Sequence, residues 1–110
     1  MAAKFELYKD KAGEFRFRLK AGNGETILTG EGYSSKDGAL NGIESVKKNA
    51  ADPARFEIKE AKNGNPYFIL KAANHQTIGQ SGIYSSAAAC DGGMNSVASN
   101  AAGASLDDQT

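Results

Sequence analysis

The 110-residue chain predicts an α+β fold: two tandem β-β-β-α repeats, their strands forming one antiparallel sheet with two helices packed on one face. Three observations lead there. Adding 51 to a residue number in the first half gives its counterpart in the second, with 20 identities over the 47 positions from Phe5 to Ala51 and no gap. Each copy opens with apolar residues in period two and closes with an apolar stripe at helical spacing. A unit of about 48 residues is marginal alone, so both copies are expected to join their sheets and share one core. Repeat one is expected at 4–51 and repeat two at 55–102, inside a single domain of 1–104, with 105–110 as a flexible tail.

Phe5 and Leu7, like Phe56 and Ile58, alternate with charged neighbours, as a half-buried strand does. Asp10-Lys11-Ala12-Gly13, with its twin Ala61-Lys62-Asn63-Gly64, turns the chain into a second strand. There Phe15, Phe17 and Leu19 share one face and Arg16, Arg18 and Lys20 the other. Asn23-Gly24 is a hairpin signal of the type I′ kind, which needs positive φ at both central residues; its twin Asn74-His75 is weaker. A third strand follows at Thr26 to Thr29 and at Thr77 to Gln80. Ala39, Gly42, Ile43, Val46 and Ala50 then form one helical stripe, repeated as Cys90, Gly93, Met94, Val97 and Ala101. Ser34 or Ser35, and Ser85 or Ser86, suit the N-caps. Gly42 and Gly93 share one stripe position, where the helical cost of glycine is offset by close approach to the sheet. Pro53 resists continuation of the first helix and marks the link.

From Phe17 through Asn23-Gly24, then Gly32-Tyr33-Ser34-Ser35-Lys36 and Asn41 through Ala50, the sequence closely resembles the YegP-like family of small bacterial proteins of unknown function. The resemblance spans both repeats and stops before the tail after Gly103. It implies a doubled β-β-β-α unit with one continuous antiparallel sheet and the helices exchanged between units. It implies no activity, because the family brings no catalytic or binding residues. Repeat two departs from the pattern: Ile83 replaces Gly32, and Ala87-Ala88-Ala89 replaces Lys36-Asp37-Gly38.

Composition narrows function mainly by exclusion. Thirteen basic and 13 acidic side chains give zero net charge, which argues against a general polyanion binder. A lone Cys90 and a lone His75 exclude an intramolecular disulfide and a Cys/His metal cluster. No apolar run approaches the ~20 residues of a membrane span. Met1 to Glu6 lacks the apolar stretch of a signal peptide, so the cytoplasm is the expected compartment. No nucleophile with a base, no paired carboxylates at a recognisable spacing and no cofactor loop is found. Gly22-Asn23-Gly24 and Gly30-Glu31-Gly32 lack the strand and helix context of phosphate loops and read as turns. His75 reads as a solvated turn residue and Cys90 as a small buried thiol.

The expectation is therefore a small non-enzymatic, cytoplasmic binding module without a cofactor. Its candidate surface comprises the cationic stripe Arg16, Arg18 and Lys20, the counterpart Tyr67, and the helix-start pairs Tyr33 with Ser34 and Tyr84 with Ser85. The alternative is a nucleic-acid or anion binder, since cations beside aromatics on a sheet face suit single strands and free N–H groups at a helix start suit anions. Glu6, Glu14 and Glu25 stand ready to neutralise the stripe. Residues 1–52 hold nine basic and eight acidic groups, and 53–110 hold four and five. The second helix keeps only Asp91 as a charge, which marks it for a protein partner or self-association.

Overall fold

The computed structural model describes residues 3–110. The expected strands form as β1 (Lys4–Lys9), β2 (Phe15–Lys20), β3 (Thr26–Gly30), β4 (Phe56–Glu60), β5 (Pro66–Lys71) and β6 (Thr77–Gln80), and the helices as α1 (Lys36–Asn49) and α2 (Ala87–Asn100). A seventh strand, β7 (Ser105–Asp108), follows α2. The sheet order is β4-β5-β6-β3-β2-β1-β7. Each repeat is an antiparallel meander, and the two meanders meet where β3 runs antiparallel to β6.

The strand alternation works as the residue pattern requires. Phe5, Leu7, Phe17, Leu19, Leu28, Phe68 and Leu70 are buried on the side the helices cover. Val46, Cys90, Val97 and Ala101 meet them from the helices, forming one core drawn from both repeats. Each helix crosses the midline: α1 packs on β2 and on β5 and β6 of the other repeat, and α2 packs on β5 and on β3 of the other. Each also carries the chain to the far half of the sheet. From β3, α1 leads to β4 on one edge; from β6, α2 leads toward β7 on the other.

Gly42 and Gly93 serve the expected close approach, with a tyrosine as the guest. Tyr33 stacks on Phe17 at 6.3 Å, and its hydroxyl would overlap a Cβ at Gly42. Tyr84 stacks on Phe68 at 6.1 Å and stands against Gly93 in the same way. The N-caps are Ser35 and Ser86, whose hydroxyls accept the N–H groups of Gly38 and Ala89. Asp52 caps a 3-10 turn at Pro53–Arg55, which ends the first repeat.

Two expectations are corrected. The tail is not free: Ser105–Asp108 lies parallel to β1, so the sheet is mixed rather than wholly antiparallel. Leu7 C=O accepts the Gln109 N–H at 2.8 Å, and Ala3 C=O accepts that of Ser105 at 3.2 Å. An edge of unpaired backbone groups is satisfied, and the ion pair from Lys36 to Asp108 pins the strand to α1.

The second correction concerns the turns. At Asn23-Gly24 only Gly24 has positive φ, at 85°. Gly24 N–H donates to Ala21 C=O, and Ala21 N–H donates to Glu25 C=O, both at 2.9 Å. This is a type I turn followed by one left-handed residue. The Asn23 side chain accepts the Glu25 N–H at 3.0 Å, which holds the loop in this form. All four hairpins use this geometry, with Gly13, Gly24, Gly64 and His75 in the left-handed position. His75 alone carries a Cβ there, at φ 69°. Replacing it with glycine, His75→Gly, should relieve about 0.5–1 kcal/mol, read as a higher urea midpoint with an unchanged slope.

Candidate functional site

Both helices cover one face, so the other face of the sheet is open. Arg16, Arg18 and Lys20 stand there along β2, as the alternation dictates, but acidic neighbours occupy all three. Arg18 Nε donates to Glu6 Oε1 at 2.6 Å, Lys20 Nζ lies 3.5 Å from the same oxygen, and Lys4 Nζ lies 3.4 Å from Glu6 Oε2. Arg16 Nε donates to Asp10 Oδ2 at 2.8 Å. The Arg18 guanidinium also covers the Tyr8 ring, 4.5 Å from its centre. Cross-strand register explains the pairing: Glu6 faces Arg18, and Tyr8 faces Arg16. Glu6 and Asp10 make the ion pairs that neutralise the stripe; of the other two expected acids, Glu14 adds its charge near Arg16 without an ion pair, and Glu25 makes none with the stripe.

Glu6 is the hub of this face. Its side chain is only 7% exposed, and the Arg18 hydrogen bond, with Lys4 and Lys20 nearby, holds its carboxyl at about 2 instead of the ordinary 4.5. A depressed acid stabilises the fold above its unfolded pKa and loses that contribution as pH falls toward the folded one. Glu6→Gln should therefore cost about 3 kcal/mol near neutral pH. The gap to wild type should close between pH 4.5 and about 2, as urea melts across that range would show.

The other sequence candidates lie apart. Tyr67 is on the same open face but on β5, with β6 and β3 between it and β2. Three strand spacings of about 4.8 Å separate those strands, so the stripe and the aromatic do not form one compact patch. Tyr33 and Tyr84 are packed against the core, and burial raises both phenols above their ordinary pKa. Ser34 and Ser85 are exposed and do not cap the helices. A shallow cleft of about 290 Å³ opens at the seam between Arg16, Thr29, Glu31 and Gln80. Glu31 on its wall and Asp10 on Arg16 weaken it as an anion site.

Cys90 is fully buried among core residues, and burial raises its thiol pKa. Iodoacetamide at neutral pH should label it only at the rate of unfolding, and fast stoichiometric labelling of the native protein would contradict this. Among the described residues no group of three or more His, Cys, Asp or Glu is placed to hold a metal, and no helix is long and apolar enough to cross a membrane.

Residue-by-residue reasoning missed the outer side of repeat two. Ile58 is 51% exposed, while its equivalent Leu7 is fully buried. Ile83, in place of Gly32, is 59% exposed. The signal was present in the repeat: α1 carries Lys36 and Lys47 where α2 has Ala87 and Ala98. Lys36 reaches Asp108, the register partner of Leu7, and Lys47 lies over the Phe5 ring at 5.8 Å. Alanines cannot make either reach. A groove of about 540 Å³ remains beside β4, with Ile58, Lys59, Pro66, Ser86 and Ala87 on its walls.

These features define a class: small α+β proteins made of two fused β-β-β-α repeats that share one sheet and one core. Comparison with known proteins agrees. The model of a domain of unknown function, DUF1508, matches residues 10–57 and again 61–108. The chain belongs to this family, as the YegP resemblance implies. Its frame groups β2, β3, α1 and the start of β4, then β5, β6, α2 and β7, which is the path each helix takes across the sheet. The UPF0339 protein of Shewanella oneidensis is 53% identical over the full length of both chains, and YegP of Escherichia coli K12 is 51% identical, again over both full lengths. The solution NMR structure of E. coli yegP, described as a protein of unknown function, superposes with a TM-score of 0.94 over 100% of this chain and 95% of its own. That of the Shewanella protein gives 0.91 over 98% and 92%.

Proposed function

We propose that this chain is a small non-enzymatic interaction module that meets a protein partner through the outer surface of its second repeat. The contrast between Leu7 and Ile58 carries the reading: two equivalent positions, one fully buried and the other 51% exposed. Isolated exposed apolar residues are ordinary. Here the exposure follows replacements along one helix: Ala87 in place of Lys36 leaves the groove at Ile58 uncovered, and Ala98 in place of Lys47 leaves Phe56 without the cation that covers Phe5. The charge-poor α2 borders the same groove, and low charge suits the centre of an interface.

The ion pairs count against nucleic acid. Phosphates would have to displace Glu6 and Asp10 from Arg16, Arg18 and Lys20, in a chain of zero net charge. Anisotropy titrations with short single strands at low salt should stay flat into the high micromolar range. Capture from nuclease-treated bacterial lysate should give a stoichiometric protein partner that the variant Ile58→Asp loses. Nuclease-sensitive capture, or capture indifferent to Ile58→Asp, would overturn the proposal.

A further inference from the structure

We infer that the partner of the β4 edge is a second copy of this chain, paired β4 to β4 antiparallel about a two-fold axis at Ile58. This rests on the reading of repeat two as an interaction surface and names the occupant. The backbone is ready for it. Ala61 N–H donates to Asn65 C=O inside the β4–β5 hairpin, so by strand alternation the polar groups of Ile58 and Glu60 point away from β5. The equivalent edge shows the use of such groups, because Leu7 C=O accepts the Gln109 N–H just past the end of β7. No described strand lies outside β4, and this chain's own β7 is engaged at the far edge.

Side chains choose the partner and the register. Centring the antiparallel pair on Ile58 sets Ile58 against Ile58 on the helix side and Glu57 against Lys59, twice, on the open side, where each Glu57 already lies 3.1 Å from its own Lys59, so that the four groups alternate in sign across the seam. Centring on Glu57 would oppose two glutamates, and centring on Lys59 would oppose two lysines. The Ile58 register is the self-complementary one of the three. It also places Phe56, half-buried beside Met94 and Ala98, next to the new seam. The opposite edge suits the same role less well: a β7 pair centred on its exposed Leu106 would set Ser105 against Asp107, with no opposite charges to match Glu57 and Lys59, and one centred on Asp107 would oppose two aspartates. Pairing β4 with β4 closes on itself, whereas pairing β4 with β7 would run on as a filament.

Sedimentation equilibrium of the full chain from micromolar to millimolar concentration tests this. Wild type should move from a one-chain to a two-chain mass. Lys59→Glu should raise the dissociation constant roughly tenfold or more, by exchanging two attractions for two repulsions. Glu57→Lys should do the same alone, and an equimolar mixture of the two variants should recover the two-chain mass, since each then supplies what the other lacks. Circular dichroism on each variant verifies that it is folded. A wild type that stays one-chain at millimolar concentration overturns the inference, as does a dimer that Lys59→Glu leaves intact or a mixture that fails to pair. A one-chain wild type that still captures a foreign protein lost on Ile58→Asp would overturn the self-pairing alone and leave the module reading standing.

Discussion

The pairing of β3 with β6 holds the molecule together as one body. Thr29 faces Gln80 across it, and these two positions are themselves 51 apart, so the pseudo-two-fold axis of the duplication passes through this pair. Everything on either side inherits that relation. Gly30 and Gly79 face each other one step along, and both lack a side chain because the core needs the space. A Cβ at Gly30 would enter the Phe17 ring, and one at Gly79 would meet Leu28 at 2.7 Å. The seam is thin so that large residues of the adjacent strands can close over it. Without it, each three-stranded meander and its helix would expose the face that the other now covers.

From this axis outward the copies agree in backbone and disagree in surface. Phe17 with Tyr33 and Phe68 with Tyr84 stack alike, under glycines at equivalent helical positions. The four hairpins share one turn geometry, even where His75 replaces glycine. The divergence lies at the two edges. Beside β1 the chain adds β7, bridges it to α1 through Lys36 and Asp108, and lays Lys47 over Phe5. Beside β4 no described strand is added, and the helical side chains are shortened to alanine. Edge strands invite pairing, and one chain here contains a protected edge and an open one built on the same unit.

Much of the fold is legible in the residues because the relevant forces are local or periodic. Period-two alternation places Phe5, Leu7, Phe17 and Leu19 on one face, and the stripe from Ala39 to Ala50 picks out the buried side of α1. What escapes is contact between segments distant in sequence. Ser105–Asp108 has no strand pattern of its own and becomes β7 only because β1 offers unpaired carbonyls. The cationic stripe is visible as Arg16, Arg18 and Lys20, but Glu6 as its common partner depends on the β1–β2 register. The same holds for the candidate site. Exposure of Ile58 cannot be read from its own neighbours, which match those of a buried strand residue. It shows only when the cover over Leu7 is compared with its absence at the twin.

By itself, the sequence determined the duplication, the strand and helix assignments, a capping serine pair at each helix start and the separation of a core face from a charged face. These follow from side-chain period and hydrogen-bonding capacity, which act within a few residues. Only the tertiary structure decided the seventh strand, which acids neutralise which cations, and which of two equivalent edges stays open. Those outcomes depend on register and on the reach of side chains between segments distant in the chain, as Lys4 and Asp107, 103 residues apart, illustrate at 3.3 Å.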